Sequence, residues 1–445
     1  MAHGQKAFAR VYRWSQWAER RFTPAGTGVL YLMIAAGVFG VDAGRTMGFQ
    51  VFSLTAGLIL CAWIGASRWR PVVAIARRLP GQATVGVPVR YRLAVRSRSK
   101  RKLPVLWVRD EFEDRFPTPA EFAAASRRPD PSGNFFDRRV GYPRWKAAVR
   151  RLRGGHVPPV RLAALAPGEE GLVEVEFVPE RRGMLRFART RLLRSDPLGL
   201  INAMVTRASP ESLLVLPRLY PVPSIALTGA RRHHPGGLQA AQQVGESQEF
   251  MQLRDYRPGD PVKRLHWPST ARTGRPIVRE TSEEFFARYA LVLDTFANEA
   301  DESAFEAAVS TAASLAARLS LGDALLDLMF VEDRAVTVTA GRGIASVGAL
   351  LRELAQVAAC TDRSFDVLAA EVESHASRLS ACILVLLGLD AARVQLIRSL
   401  RMAGVPQIVL VVSGLPIAPV GGEAVHRVDP ANIAATLAAM PNRCA

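Results

Sequence analysis

Two long, mostly hydrophobic stretches lie near the amino end of this 445-residue chain. Residues 23–41 and 46–67 contain no charged side chain, and each stretch is long enough to cross about 30 Å of hydrocarbon as a helix. Only residues 42–45 separate the two stretches, so the connection between the helices is a tight turn. The pattern predicts a transmembrane helical hairpin at 23–67, preceded by a basic amino-terminal segment, 1–22.

Lysine and arginine residues precede the first predicted span and follow the second, whereas the turn between the spans contains only Arg45. Because basic residues are retained on the cytoplasmic side, this bias predicts a two-pass protein of the bacterial inner (cell) membrane with both flanks in the cytoplasm. A signal peptide and a buried helical hairpin of a soluble protein are the alternative interpretations. The lipid bilayer is thus the first expected partner, and four tryptophans near the expected helix ends suit its aromatic belts: Trp14, Trp17, Trp63 and Trp69.

Beyond the predicted spans the pattern changes to an alternation of apolar and polar residues. Over 85–96 every second residue from Val85 onward is valine, tyrosine or leucine, and three of the other residues are arginine. Period-two alternation predicts half-buried strands, and the runs 103–112 and 171–180 also have strand character. Because no convincing helical period interrupts these runs, we predict an antiparallel β-sandwich module over 80–230. Residues 116–165 break the rhythm and predict a long inserted loop.

Nearly continuous apolar runs alternate with helical patterns in the last third of the chain. The runs 287–295 and 381–390 are examples. Strands that are buried on both faces have this composition, which predicts an α/β Rossmann-like domain with a mostly parallel sheet over 285–442. Ligands of such sheets bind at the carboxyl ends of the strands, where the sequence places Asp294 and Asp390.

Charge is distributed unevenly along the chain, whose formal net charge is +18. Residues 1–280 hold the excess of lysine and arginine, whereas residues 281–445 hold more acidic than basic side chains. This difference indicates different partner surfaces in the two regions. The cysteines form no pair with metal-ligand spacing, so neither a zinc site nor a disulfide framework is predicted. The basic module lacks the interleaved aromatic residues of a base-stacking surface, so we expect no nucleic-acid partner.

The segment 231–284 contains the densest mixture of charged, aromatic and turn residues. Residues 257–260, Arg-Pro-Gly-Asp, fit a type II turn, since proline fixes φ at the second position and glycine accepts positive φ at the third. A histidine beside a carboxylate is the minimum for acid–base catalysis, but no nucleophile at recognisable spacing and no phosphate-binding loop accompanies it. Three interpretations stay open: an active site with Asp260 and His266, an arginine-rich anion site, and an ion-paired structural junction.

Residues 245–280 contain an ordered series of motifs: Glu-Phe, Arg-x-Tyr, Pro-Gly-Asp, a basic residue, His-Trp and Ser-x-Ala-Arg. This series resembles the signature of the domain of unknown function 58 family. An Arg-Arg-Gly step in 179–187 and an Asp-Pro-x-Gly-Leu turn in 195–200 also resemble the layout of that family. The resemblance implies a von Willebrand factor A-like α/β domain and a MoxR-type AAA+ ATPase as partner, in a chaperone-like or assembly role. The signature positions are the candidate site residues: Glu249, Phe250, Arg254, Tyr256, Pro258, Gly259, Asp260, Arg264, His266, Trp267, Ser269, Ala271 and Arg272.

Proteins of the von Willebrand factor A-like class often hold a divalent cation with the motif Asp-x-Ser-x-Ser after the first strand. The corresponding residues here, 294–298, read Asp-Thr-Phe-Ala-Asn. Phenylalanine supplies no oxygen ligand and asparagine supplies only a neutral carbonyl, so the motif is degenerate. We therefore expect no cofactor, with Asp294 capping the following helix or pairing with an arginine; the alternative is magnesium bound weakly by Asp294, Asn298 and Asp390.

These patterns together predict a membrane-anchored, non-enzymatic interaction protein with a cytosolic α/β domain, and the family resemblance implies that this domain works with an ATPase partner. The competing hypothesis is a divalent-metal-dependent hydrolase or ligand-binding enzyme. Such an enzyme would use Asp294 and Asp390, or Asp260 and His266.

Overall fold

The computed structural model divides the chain into two compact units, Met1–Pro217 and Arg218–Ala445. The residues that the structure describes are 2–39, 46–119, 121–123, 141–225, 249–258, 260, 262–282, 287–297, 302–319, 324–341, 345–415 and 425–440.

Three helices begin the first unit: α1 (Ala2–Arg21), α2 (Pro24–Phe39) and α3 (Thr46–Ser67). Among the described residues, only α3 is both long and apolar enough to cross a membrane; α2 is apolar but shorter. Residues 40–45, which comprise the last two residues of the first predicted span and the predicted turn, lie outside the described residues. The structure thus contains one candidate span and a shorter apolar helix packed against it.

Eight strands follow α3 and form two sheets. Strands β1, β3 and β6 form a three-stranded sheet in the order β1-β3-β6, and the other five form a sheet in the order β2-β8-β7-β4-β5. All pairs are antiparallel except β2–β8, which is parallel and so departs from the purely antiparallel prediction. The strands are β1 (Val73–Arg78), β2 (Gln82–Thr84), β3 (Val89–Ser97), β4 (Leu106–Phe112), β5 (Val160–Leu162), β6 (Glu170–Phe177), β7 (Gly183–Ser195) and β8 (Asn202–Leu216).

The apolar faces of both sheets contribute to one hydrophobic core. In β3 buried and less buried positions alternate as the sequence predicts, with Tyr91 and Leu93 inside. A buried polar cluster links the two sheets: the Asp110 carboxylate accepts two hydrogen bonds from Arg77, at 2.9 and 3.0 Å, and one from the Tyr91 hydroxyl, at 2.7 Å. Burial, and then the Asp110 charge, raise the pKa of Tyr91. The buried Asp110 is therefore fully compensated by donors from the facing sheet.

The predicted loop at 116–165 is partly wrong, because it contains a helix. Residues 142–153 form α4 (Tyr142–Arg153), which buries Trp145 and Val149 against Tyr12 of α1. These two apolar residues are four positions apart, so they lie on one face of the helix. Their signal is weak in the sequence because arginines surround them.

The second unit contains a small two-stranded sheet and a larger α/β sheet. The former pairs β9 (Glu249–Asp255) with β10 (Ile277–Ser282), and α5 (Trp267–Thr273) lies in the connection between them. The elements of the α/β sheet are β11 (Arg288–Leu293), α6 (Glu302–Leu319), β12 (Leu325–Val331), β13 (Ala335–Ala340), α7 (Val347–Gln356), α8 (Asp366–His375), β14 (Ala381–Leu386), α9 (Ala391–Met402), β15 (Gln407–Val412), β16 (Val425–Val428) and α10 (Ile433–Ala438).

The six strands of the larger sheet are arranged in the order β13-β12-β11-β14-β15-β16, and all pairs are parallel except β12–β13. One face packs Val292 and Leu384 against α8 and α9. Leu291 and Leu293 alternate with Val292 and are also fully buried, and α6 contacts β11 and β14. Helices therefore cover both faces, which explains why these strands are almost wholly apolar in sequence.

Candidate functional site

The carboxyl ends of β11 and β14 define the first candidate site. These strands are neighbours at the centre of the sheet, and the chain leaves them toward opposite edges, from β11 to β12 and from β14 to β15. In open α/β sheets the ligand crevice lies at such a switch point. Asp294 directly follows β11, and Asp390 follows β14 and caps α9 by accepting a hydrogen bond from the Arg393 amide.

The Asp294 side chain is fully buried, and three donors surround its carboxylate. Oδ1 accepts a hydrogen bond from the amide of Phe296 at 3.0 Å. Oδ2 accepts one from the amide of Leu387 at 2.9 Å and one from Nε of Arg393 at 2.6 Å. Asp294 therefore ties the loop after β11 to the loop after β14 and to the first turn of α9.

Arg393 is the residue that joins the two candidate metal ligands. Its guanidinium group donates Nε to Asp294 and forms an ion pair through Nη1 with Asp390. The guanidinium carbon also lies 4.7 Å from the centre of the Phe365 ring, a distance suited to a cation–π contact. Burial alone would lower the pKa of Arg393, but the hydrogen bond and charge of Asp294, and then those of Asp390, raise it overall. Arg393 is a fixed positive charge between two carboxylates.

This arrangement does not fit a divalent cation. The guanidinium already supplies the positive charge, and both Asp294 oxygens are hydrogen-bonded. The Thr295 hydroxyl donates to the carbonyl of Val331 at 2.6 Å and is thus engaged elsewhere. Asn298, the remaining predicted ligand, lies outside the described residues. Of the two roles considered for Asp294, the described contacts correspond to pairing with an arginine.

The signature segment forms the second candidate site, a compact unit built on the β9–β10 pair. Its connection folds back along β10, because the amide of Tyr256 donates to the carbonyl of Pro276 at 2.9 Å and that of His266 donates to Ile277 at 2.8 Å. Leu265 forms an isolated bridge with Val278. Backbone hydrogen bonds therefore fix the position of the whole segment between the strands.

The Arg254–Asp260 pair closes the predicted turn. Nη1 and Nη2 of Arg254 donate to the two Asp260 carboxylate oxygens at 2.7 and 2.8 Å, which is the bidentate geometry of a strong ion pair. The Asp260 amide donates to the carbonyl of Arg257 at 3.0 Å, as in a β-turn, and the Arg257 amide donates back to the carboxylate. The Arg254 hydrogen bonds, and next that of the Arg257 amide, lower the pKa of Asp260 to about 2. Gly259 lies outside the described residues.

His266 has a different set of partners from Asp260. Its Nδ1 lies 2.7 Å from the Ser269 hydroxyl, and its carbonyl accepts from the amides of Ser269 and Thr270 in the first turn of α5. The Thr270 hydroxyl in turn accepts from the amide of Ile277 at 3.0 Å. The structure thus gives His266 a role at the start of α5.

The remaining signature residues divide into exposed and undescribed groups. Pro258, Trp267, Ala271 and Arg272 are exposed, and Trp267 is 65% accessible. Glu249 and Phe250 lie on β9, and Arg264 lies in a short 3₁₀ turn (Val262–Arg264), but the side chains of these three residues are outside the described part of the structure. Among the three interpretations of this segment, the ion-paired junction has direct support in the Arg254–Asp260 contact. Sequence reasoning missed Arg393, whose only signal is its position three residues after Asp390.

The fold and the two sites define an α/β domain preceded by an ion-paired hairpin segment. Residues 252–413 match the model of a family described as "Protein of unknown function DUF58". The resemblance inferred from the signature is therefore confirmed over these residues. The match extends from β9 to the residue after β15, so it includes Asp260, Asp294 and Arg393.

Three solved structures share limited similarity with the chain. A CARDB domain of Pyrococcus furiosus, solved with di-metal ions, is 13% identical, covers 33% of this chain and 89% of its own, and has a TM-score of 0.18. A cohesin module from a family 33 glycoside hydrolase of Clostridium perfringens is 8% identical, covers 33% and 98%, and has a TM-score of 0.17. The ASH/PapD-like domain 7 of human CEP192 is 11% identical, covers 30% and 84%, and has a TM-score of 0.15. No curated protein matches the chain.

Proposed function

We propose that the protein is a two-pass, membrane-anchored interaction protein without enzymatic activity. Its cytosolic α/β domain, of the von Willebrand factor A-like kind, binds a MoxR-type AAA+ ATPase and acts with it in a chaperone-like or assembly role. The observation that carries the proposal is the Asp294–Arg393–Asp390 cluster. In this cluster Arg393 holds together the loops at the carboxyl ends of β11 and β14. This supports a domain in which the carboxyl edge of the sheet, the side where these strand ends lie, serves as a protein-binding surface.

The strand order and the site chemistry support this assignment of the α/β domain. One antiparallel strand, β13, at the edge of an otherwise parallel sheet is compatible with a von Willebrand factor A-like arrangement. The ATPase partner comes from the family resemblance, and the acidic composition of residues 281–445 is compatible with docking on a basic surface.

The anchor is supported by α3, by the apolar α2 and by the basic residues on their flanks. The two β-sheets with their shared core support a β-sandwich module between the membrane and the α/β domain.

Two exposed apolar residues, one near each end of strand β15, provide a test of the binding surface. Leu415 follows the carboxyl end of β15, and Met402 ends α9 just before the amino end of the same strand. They are 74% and 88% accessible. If the partner binds at the carboxyl edge, Leu415→Ser weakens binding about tenfold, whereas the matched control Met402→Ser leaves it unchanged.

The measurement is the affinity of the detergent-solubilised full chain for the purified, nucleotide-free ATPase, with and without EDTA. We expect binding that EDTA does not change. Absence of binding, or equal loss for both serine variants, would refute the proposed interaction. Calorimetric titration with magnesium tests the competing metal-dependent enzyme: micromolar affinity that is abolished by Asp294→Ala would replace our proposal with that one.

A further inference from the structure

A cavity of about 750 Å³ lies in the first unit, bordered by α1, α4 and residues of β4, β7 and β8. Basic side chains dominate its charged lining: Arg20, Arg109, Lys146, Arg150, Arg153 and His156. Glu19 is the acidic side chain among its lining residues. The cavity is therefore strongly cationic.

Some of this positive charge is compensated by acidic residues. Arg153 donates to Asp114 at 2.6 Å and to the Tyr12 hydroxyl at 2.7 Å. Arg20 forms an ion pair with Glu111 at 3.2 Å. These contacts hold two of the arginines in place on the cavity wall, so their positions are set before any ligand binds.

Arg109 is not compensated in this way. Within the described part of the chain, its guanidinium group has neither a hydrogen-bond acceptor nor an ion-pair partner, although it is partly buried on β4. Burial, and then the charge of Arg20, lower the pKa of Arg109. Burial and next the charges of Arg109 and Arg153 also lower the pKa of His156. Bringing cationic groups together in partial burial is unfavourable, and an anion in the cavity would relieve that cost.

The cavity adjoins the end of the apolar helices. Asn202, which lines it, donates from Nδ2 to the carbonyl of Arg20 at 3.1 Å. The preceding residue, Ile201, is fully buried against Ala62 and Ala66 of α3. Trp17 of α1 and Trp63 of α3 are also in contact, with ring centres 6.3 Å apart. For a protein anchored through α3, these contacts put the cavity at the membrane–water interface.

We propose that this cavity binds a phosphate group, with Arg109 as its principal ligand. A guanidinium group presents paired N–H donors that match two phosphate oxygens, and the neighbouring arginines add further charge. An anionic phospholipid headgroup and a soluble phosphate compound share this chemistry, and the adjoining apolar helices favour the lipid. The lipid source rests on the proposed membrane anchor, whereas the phosphate chemistry does not.

The lipid arm of the test uses the full chain in phosphatidylcholine nanodiscs containing a small fraction of phosphatidylglycerol. Native mass spectrometry then measures the phosphatidylglycerol that stays bound to the released protein. We expect Arg109→Gln to reduce retention at least tenfold and Arg109→Lys to restore most of it. Arg96→Gln removes an exposed arginine from β3, outside the cavity lining, and serves as the charge-matched control that keeps full retention.

The soluble arm measures binding of inorganic phosphate and glycerol phosphate by calorimetry, to the same protein in pure phosphatidylcholine nanodiscs. Binding in this arm alone, lost in Arg109→Gln, would support the phosphate site and overturn the lipid as its source. Retention that is unchanged in Arg109→Gln, or reduced equally in Arg96→Gln, would overturn the site itself. The cavity lies in the first unit and the proposed ATPase-binding surface lies in the second. A failure of ATPase binding would therefore refute the proposed function without deciding whether the cavity binds phosphate.

Discussion

At the residue scale, the two carboxylates around Arg393 differ sharply in environment. The Asp294 side chain is fully buried, whereas that of Asp390 is 55% accessible. Removing one partner of a buried ion pair leaves an uncompensated charge, while an exposed pair contributes little. Asp294 should therefore be important for stability, and Asp390 should act mainly as a helix cap.

We accordingly predict that Asp294→Asn lowers the free energy of unfolding of the α/β sheet by about 3 kcal/mol. Asp390→Asn should cost less than about 1 kcal/mol, because asparagine is also a good helix cap and Arg393 keeps Asp294. Hydrogen exchange of the β11 and β14 amides in the full chain would measure both effects. Equal costs would show that the buried pair has no special role.

The second prediction at this scale concerns the Asp260 carboxylate, whose pKa of about 2 depends first on Arg254. A carboxylate whose pKa is lowered in the folded state contributes its full stabilisation at pH values above its ordinary pKa of about 4. This contribution is lost as the pH falls from about 4 through 2. Arg254→Gln should raise the pKa of Asp260 toward its ordinary value. Arg272→Gln, which changes an exposed arginine of α5, should leave it unchanged. Carboxyl carbon NMR titration would report both, and an unshifted Asp260 in Arg254→Gln would contradict the assignment.

The sequence is informative about some single residues and silent about others. Asp260 could be placed in a turn among arginines because a Pro-Gly pair in the sequence favours a turn, and such local geometry follows local sequence. Arg393 could not be paired with Asp294, since the two residues meet only after β11 and β14 become neighbours in the sheet. Long-range contacts of this kind leave no periodic signal in one sequence.

At the element scale, the close approach between α2 and the loop before β8 depends on a glycine. A Cβ atom built on Gly26 would lie 1.9 Å from the backbone oxygen of Leu200, too close for any side chain. The Thr23 amide donates to the same carbonyl at 3.1 Å, and Phe22 forms a bridge with Ile201. Gly28, one half-turn further along α2, has open space around it.

Gly26→Ala should therefore displace the start of α2 and destabilise the first unit by about 1–3 kcal/mol. Gly28→Ala is the matched control, and it should be neutral or slightly stabilising because alanine favours helix more than glycine. The thermal unfolding midpoint of the full chain in detergent, followed by tryptophan fluorescence, would compare them. Equal midpoints for the two variants would mean that this packing does not contribute to stability.

Element prediction from the sequence succeeded where one pattern dominates. The strands β3, β11 and β14 follow from alternation or from continuous apolar residues. Helix α4 was missed because its two buried residues stand among arginines, and its stability depends on tertiary packing against α1. The short strand β16 was missed because its four residues are too few to establish a period.

At the scale of the whole molecule, the proposed topology puts every folded module on the cytoplasmic side. The basic residues before α2 and after α3 are the physical reason, because they are retained in the cytoplasm during insertion. Green fluorescent protein fused after Ala445 should therefore fluoresce, and alkaline phosphatase fused at the same position should be inactive. The test leaves the basic residues at 68, 70, 77 and 78 in place, because replacing Arg77 would also remove its hydrogen bonds to the buried Asp110. An active phosphatase fusion would reverse the topology.

The contacts of Phe22 and Thr23 with Ile201 and Leu200 have a mechanical consequence. In a protein tethered by a flexible linker, the soluble part rotates freely and its height above the lipid varies. Here the chain enters α2 directly from residues that are hydrogen-bonded to the residues just before β8, so no flexible linker separates the proposed anchor from the β-sheets. If α2 and α3 are embedded in a membrane as proposed, a tilt of these helices would tilt the β-sheets with them, and a force on the β-sheets would be transmitted to the bilayer.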